Sequence, residues 1–354
     1  MTTQESHRVG PPCALLGLTA LIGCAQPEPA ASLSEPPSTD DPSLVLHEGA
    51  PVWPAWPDDC DEPDNPDNPD DPDDPNSGVY EGDYDWQVLG DSLCDDGLEQ
   101  SIDGDLLISE AKSLTGLSCL VGVTGNLLIV QNSALDSLEG LDALAHVDGY
   151  LMVSENDRLE SLAGLGALAE LGSSLTISEN ESLVSLDGLG MVLYTHSITI
   201  QDNRVLERLA GLENVLKISG DLWIGDNPLL SDLTALAAVT AIAHGLTITN
   251  NPSLETLTGL ASIEYAERGV DISGNAALTG LDGLQGLGSI GEGELSITSN
   301  DALTSVQGLG AMYIEYGLRI LYNDVLPTSD AEQWADSIVL GAKASVSIAG
   351  NADG

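Results

Sequence analysis

The side chains that most often carry catalysis or bind metal ions are few in this chain and far apart in the sequence. Beyond residue 23 the histidines are His47, His146, His196 and His244, each isolated from the others. Metal sites and catalytic triads need several such groups at characteristic spacings, as in HExxH or CxxC. Neither spacing occurs, so the sequence predicts no catalytic metal site, no cofactor and no enzymatic activity.

Three glycines have the G-x-G-x-x-G spacing of a dinucleotide-binding loop: Gly286, Gly288 and Gly291. That loop binds a pyrophosphate only where it follows a strand and opens a helix. Here the glycines lie at a bend within a repeated apolar pattern, without such a strand and helix. We interpret the match as coincidence.

Acidic side chains recur immediately before a repeated asparagine. The column reads Gln131, Glu155, Glu179, Asp202, Asp226 and Asn250. If successive turns stack as parallel strands, its four carboxylates lie about 5 Å apart, and neighbouring negative charge should raise their pKa values. The sequence favours a solvated acidic edge and leaves open a column that recruits a divalent cation such as calcium or a basic partner.

The elements that would position these side chains are repeats of L-x-I-x-x-N-x-x-L-x-x-L-x-G-L, which begin near residue 102. Their asparagines recur every 23 to 25 residues, at Asn132, Asn156, Asn180, Asn203, Asn227, Asn251, Asn275, Asn300 and Asn323. A constant period indicates a coil of fixed circumference, and L-x-I alternates as a strand does. We expect an all-β solenoid of about ten turns, in which buried asparagines hydrogen-bond backbone groups.

The outward position of L-x-I forms a second row. It reads Leu128, Met152, Thr176, Thr199, Trp223, Thr247, Asp271, Ser296 and Arg319. Thr176, Thr199, Trp223 and Thr247 form a candidate ligand face, because a sugar can stack on an exposed indole between hydroxyls. Threonine also simply suits exposed strands. A β-helix enzyme acting on acidic polysaccharide is less favoured, since the row carries a single basic residue.

The repeat resembles the receptor L domain, the leucine-rich right-handed β-helix of insulin- and EGF-receptor ectodomains and of fungal cell-wall proteins. The resemblance covers residues 90–354, with nine units in register. It implies a right-handed parallel β-helix and a disulfide between Cys94, before the first strand, and Cys119, before G-x-L-x-I. The array is more regular than receptor L domains and lacks evident side loops, so hormone binding is not implied.

The N-terminus predicts export. Residues 1–23 have the polar start and the short apolar run of a signal peptide. Leu21-Ile22-Gly23-Cys24 resembles a bacterial lipobox, which implies lipidation of Cys24 and residence in the cell envelope, at the outer membrane or cell surface. Residues 24–89 are rich in proline and acid, which predicts a disordered, extended linker in which Cys60 is free or pairs between chains.

The opposite end of the chain departs from the repeat after Asn323. Ser329 and Glu332 have capping-box spacing ahead of a short helix that carries Trp334 and Ile338. A final strand through Val346 leads to Asn351. We expect residues 326–354 to close this end of the solenoid at 90–354.

Charge limits the partners. The chain has 57 acidic and 9 basic residues, a formal net charge of -48. Nucleic acid is excluded as a partner, because its binding depends on Lys and Arg, and contact with the membrane is expected only through the lipid anchor. The sequence predicts a non-enzymatic recognition, adhesion or envelope scaffold protein with an unknown protein or glycan ligand. It leaves the oligomeric state open.

Overall fold

We describe the fold from a computed structural model, which describes residues 79–86, 93–94 and 97–352. The predicted signal peptide, Cys24, Cys60 and most of the predicted linker lie outside these residues. Within them, no helix is both long and apolar enough to cross a lipid bilayer.

The described residues form an all-β parallel solenoid of about eleven turns, as the repeat predicts. Each turn contributes one strand to a large sheet and a second, shorter strand to another face. The large sheet contains β2 (Tyr84–Asp85), β4 (Leu106–Ile108), β6 (Leu127–Val130), β8 (Leu151–Ser154), β10 (Leu175–Ser178), β12 (Ile198–Gln201), β14 (Leu222–Gly225), β16 (Gly245–Thr249), β18 (Gly269–Ser273), β20 (Glu294–Thr298), β22 (Gly317–Leu321) and β24 (Ser345–Ala349).

The shorter strands form two sheets rather than one. The first contains β1 (Val79–Glu81), β3 (Gln100–Asp103), β5 (Leu120–Val123), β7 (His146–Val147) and β9 (Glu170–Leu171). The second contains β11 (Tyr194–Thr195), β13 (Lys217–Ile218), β15 (Ala241–Ile242), β17 (Tyr265–Ala266), β19 (Ser289–Ile290), β21 (Tyr313–Ile314) and β23 (Val339–Leu340). The ladder is therefore interrupted between β9 and β11.

One aliphatic core runs along the solenoid, because the two apolar residues of L-x-I point inward. Leu222 and Ile224 of β14 are fully buried, while Trp223 between them lies on the outer side. Strand register keeps like positions together, so Trp223 lies directly opposite Thr199 and Thr247. Burial of the repeated leucines and isoleucines supplies the main driving force for stacking the turns.

A left-handed residue and a buried asparagine end each central strand of the large sheet. The nine non-glycine residues at this position have φ between 53° and 57°: Glu110, Gln131, Glu155, Glu179, Asp202, Asp226, Asn250, Ser299 and Tyr322. This conformation is uncommon for residues with a Cβ. It turns the following residue inward, and that residue is an asparagine in every case except Glu110, which is followed by the buried Ala111. All nine predicted asparagines are fully buried in one ladder, and Asn351 is its tenth member.

The ladder joins consecutive turns through the asparagine side chains. The backbone N–H of Asn203 donates to Oδ1 of Asn227 at 3.1 Å, and its Nδ2 donates to the same oxygen at 3.2 Å. Nδ2 of Asn227 in turn donates to the carbonyl oxygens of Ile200 at 3.0 Å and Gly225 at 2.7 Å. The side chains thus satisfy backbone groups that the bend leaves outside the strand ladders.

The two ends of the solenoid differ from the regular turns. The first strand among the described residues begins at Val79, within the segment assigned to the linker. Cys94 and Cys119 form the disulfide that the resemblance implied. At the other end α1 (Thr328–Ala335) packs the buried Trp334 against the core. The capping box was wrong, because the helix begins at Thr328, which places Ser329 inside its first turn without a side-chain cap hydrogen bond.

Candidate functional site

The outer face of the large sheet carries the candidate ligand face. The indole of Trp223 extends along β14 over Gly225, where an added Cβ would lie 2.7 Å from Nε1 of the indole. Gly225 thus leaves the space that lets the ring lie against the sheet. Thr176, Thr199 and Thr247 are half-buried, and the last two flank the indole on the neighbouring strands. The structure therefore brings the four predicted residues together on one face.

Two buried polar atoms on this face lack hydrogen-bond partners within the described residues. They are Nε1 of Trp223, a donor, and Oδ1 of Asp271, an acceptor. Both residues lie in the same outward row, with Thr247 between them. Burial raises the pKa of Asp271, although Ser273 and Ser296 hydrogen-bond its carboxylate. Unpartnered buried groups are rare in native structures, and sequence periodicity gave no signal of this pair.

The acidic column is stacked as the repeat predicts, and an amide closes it at each end. Nε2 of Gln131 donates to Oε2 of Glu155 at 3.2 Å, and Nδ2 of Asn250 donates to Oδ1 of Asp226 at 3.1 Å. Within the described ranges no group of three or more His, Cys, Asp or Glu side chains is arranged to hold a metal ion. We therefore do not propose a metal site at the acidic column.

The pKa values of Glu179 and Asp202 in the column are raised, but burial contributes more than the neighbouring charge that we expected to dominate. Burial contributes most to the raised pKa of Glu179, followed by the charges of Glu155 and Asp202. Burial likewise leads for the raised pKa of Asp202, followed by the charge of Asp226. Neighbouring charge, the expected cause, comes second for both residues.

The column predicts a stability that falls as the pH rises. A carboxyl whose folded-state pKa lies above its unfolded value stabilises the fold at low pH, and this contribution is lost as the pH passes through the folded-state pKa. The ordinary values are 4.5 for Glu179 and 3.8 for Asp202. We therefore expect Glu179→Gln/Asp202→Asn to reduce the fall in melting temperature between about pH 5 and about pH 7.

Asp136→Asn/Glu139→Gln is the matched control, because it removes two exposed carboxylates outside the column. Added sodium chloride should recover part of the wild-type loss through screening. Millimolar calcium should recover no more than sodium chloride of equal ionic strength. Equal pH dependence in the column variant and in the control would contradict this account of Glu179 and Asp202.

Sequence spacing missed one cluster that the fold assembles. His196 and His244 are far apart in the chain, yet their ring centroids lie 6.0 Å apart with the rings edge to face. Gly220 of the intervening turn separates their backbones, since its N–H donates to His196 and its carbonyl accepts from His244. Gly220 has no side chain, so the two rings meet across its turn. The fixed repeat period, together with this glycine, was the signal that could have paired them.

Comparisons with protein-family models, with curated proteins and with solved structures found no match for this chain.

Proposed function

We propose that this chain is a non-enzymatic recognition or adhesion protein that binds its ligand on the outer face of the large sheet. The proposal rests on the unpartnered donor of Trp223 and the unpartnered acceptor of Asp271 on either side of Thr247. Both atoms are buried in the unbound face, and a ligand that draws the two side chains outward would satisfy them. The lack of clustered nucleophiles, bases and metal ligands in the sequence favours binding over catalysis.

The type of solenoid and its anchoring belong to the same proposal. The Cys94–Cys119 disulfide and the strand–bend–asparagine turn support an L-domain-like module, and disulfides form in oxidising compartments outside the cytosol. Lipidation at Cys24 would attach the module to the envelope, and the acidic linker would hold it away from the membrane surface.

A glycan is a second candidate ligand, because Trp223 lies against the sheet over Gly225 between two threonines. An aromatic ring stacks on the apolar face of a sugar, and flanking hydroxyls bond the sugar hydroxyls. Thr176 and Ser296 add further small hydroxyl side chains to the row. This arrangement favours a neutral saccharide over a charged one.

We expect Trp223→Ala to abolish ligand binding with little change in melting temperature. The test is to screen the full chain against arrayed glycans and purified envelope proteins, and then to remeasure each hit with the variant. Tyr265→Ala is the matched control, since Tyr265 is an exposed aromatic residue on the second, shorter-stranded face. A hit that binds Trp223→Ala and wild type equally well, or a glycan that is hydrolysed, contradicts the proposal.

Lipidation predicts the mass and location of the mature chain. We expect the protein purified from bacterial membranes to begin at Cys24 and to carry acyl groups, and Cys24→Ser to leave the membrane fraction. Intact-mass spectrometry and fractionation measure both, with Cys60→Ser as the control cysteine. A mature chain that begins elsewhere without acyl mass would remove the anchor from the proposal.

A further inference from the structure

The interruption between β9 and β11 is the clearest departure from the repeat. In neighbouring turns the inward residue of the short strand and that of the long strand are four positions apart, as for Leu171 and Leu175 or Ile218 and Leu222. In the turn that contains β11 and β12, the corresponding inward residues, Thr195 and Ile198, are only three positions apart. The turn is one residue shorter, and its two strands cannot both keep the register of the turn before.

The shorter turn changes the backbone hydrogen bonds. In regular turns the residue after the inward one donates its N–H to the inward residue of the preceding turn, as Gly172 does to Val147 at 2.9 Å. His196 donates instead to the carbonyl oxygen of Ser173 at 2.9 Å, and Oγ1 of Thr195 donates to the same oxygen at 2.7 Å. A buried threonine thus stands in a column that is aliphatic in the neighbouring turns.

A cavity of about 340 Å³ opens at this interruption. The polar and aromatic side chains that line it come from three successive turns: Ser173, Tyr194, Thr195, His196, Lys217 and Ser219. We refer to these six residues as the notch. Its volume is at the lower end of the range for small-molecule sites. Broken local rules without another structural benefit are typical of functional sites, and the intact ladders on either side indicate no structural need for this break.

The chemistry of the notch differs from that of the surrounding surface. Lys217 is exposed and has no carboxylate within ion-pairing distance among the described residues. Tyr194 lies opposite it on the adjacent strand and is 59% exposed, which leaves a ring face for stacking. Nδ1 of His196 lies 3.2 Å from Oγ of Ser219. A free ammonium group beside an aromatic ring and hydroxyls is unusual in a chain of net charge -48.

Two acidic residues lie near the notch without lining it. Asp221 lies 3.5 Å from Nδ1 of His244, at the second histidine of the pair. Glu170 is exposed on β9, where its strand partner is His146. Neither residue lines the cavity. Lys217 is therefore the only Lys, Arg, Asp or Glu among the described residues that line the cavity. At physiological ionic strength salt largely screens exposed charges that are more than about 8 Å apart.

We propose that the notch binds a uronic acid, a sugar whose ring carries a carboxylate. Lys217 pairs with the carboxylate, Tyr194 stacks against the ring, and Ser173, His196 and Ser219 hydrogen-bond the ring hydroxyls. The ammonium group selects the anion, while the aromatic ring and hydroxyls select a sugar over a simple carboxylic acid. The site belongs to the shorter strands and is independent of the ligand face that contains Trp223.

Calorimetric titration of the full chain with sodium glucuronate tests the proposal. We expect glucuronate to bind at least tenfold more tightly than glucose, which lacks the charge, and than N-acetylalanine, which lacks the ring. Equal binding of glucose overturns the role of the carboxylate. Equal binding of N-acetylalanine overturns the assignment to a sugar. The absence of binding heat with glucuronate at high millimolar concentration overturns the site itself.

Two lysine variants locate the binding. Lys217→Gln should weaken glucuronate binding at least tenfold, whereas Lys112→Gln should leave it unchanged, because Lys112 is an exposed lysine far along the solenoid. Both side chains are exposed, so melting temperatures should match the wild type and exclude unfolding. Unchanged binding in Lys217→Gln, or equal loss in the two variants, overturns the location.

Discussion

Asn227→Ala should lower the free energy of unfolding by about 3–5 kcal/mol, because removing the side chain leaves several buried groups without partners. The backbone N–H and Nδ2 of Asn203 both donate to Oδ1 of Asn227, at 3.1 and 3.2 Å. The carbonyl oxygens of Ile200 and Gly225 accept from its Nδ2. Each buried group that loses its partner costs about 1–3 kcal/mol, and the remaining cavity adds to this.

Asn214→Ala is the matched control, because Asn214 is exposed and makes one hydrogen bond, from Nδ2 to the carbonyl oxygen of Gly190 at 2.7 Å. Chemical denaturation measures the overall loss, and amide hydrogen exchange locates it. Exchange should accelerate first near Ile200 and Gly225, since each turn of a solenoid depends on its neighbours. Similar losses for Asn214→Ala and Asn227→Ala would contradict the structural role of the ladder.

The regular part of the fold could be predicted because similar residues recur at corresponding positions of the turns. An inward asparagine follows the bend in nine successive turns, so the column from Asn132 to Asn323 fixes the period, and the period fixes which outward residues are neighbours. The repeat spacing alone therefore predicts that Trp223 lies next to Thr199 and Thr247. The indole's position over Gly225 was not predictable, because it depends on a side-chain rotamer and not on the repeat.

The notch shows the limit of arguing from a repeat. A step of 23 residues from Asn180 to Asn203 lies within the ordinary variation of the period, so the period does not reveal the missing residue. Its effect depends on where in the turn the residue is lost. Between Thr195 and Ile198 the loss separates β9 from β11, whereas the other 23-residue step, from Asn300 to Asn323, leaves β19, β21 and β23 paired. Sequence period gives the number of residues but not the register.

The left-handed column explains why acidic residues could recur where they do. Residues of φ near 55° precede the asparagines, and Asp and Asn tolerate this region better than most residues. Asp202, Asp226 and Asn250 follow that preference. Glu179 does not, and its recurrence with Glu155 adds two longer carboxylates to the column. The left-handed backbone conformation therefore explains why aspartates recur in the column, and no ligand is needed to account for them.

Loss of the disulfide should destabilise the first turns of the solenoid more than any other part. Cys94 and Cys119 are 25 residues apart, and closing a loop of that size contributes about 3 kcal/mol by restricting the unfolded chain. We expect Cys94→Ser/Cys119→Ser to lower the unfolding free energy by about that amount. Hydrogen exchange should accelerate near β3 and β5 and remain slow near Asn251, because coupling between turns passes through nearest neighbours.

Cys60→Ser is the control for this double variant, since it removes a cysteine that lies outside the described residues and keeps both partners of the bond. It should leave the melting temperature unchanged, and dithiothreitol should lower the stability of wild type and Cys60→Ser equally. Reduction should have no effect on the double variant. Non-reducing peptide mapping measures the pairing directly, and free thiols at both Cys94 and Cys119 would refute it. Within the described residues the first turn packs against one neighbouring turn, whereas an internal turn such as that of Asn227 packs against two, so we expect the first turn to depend more on this bond.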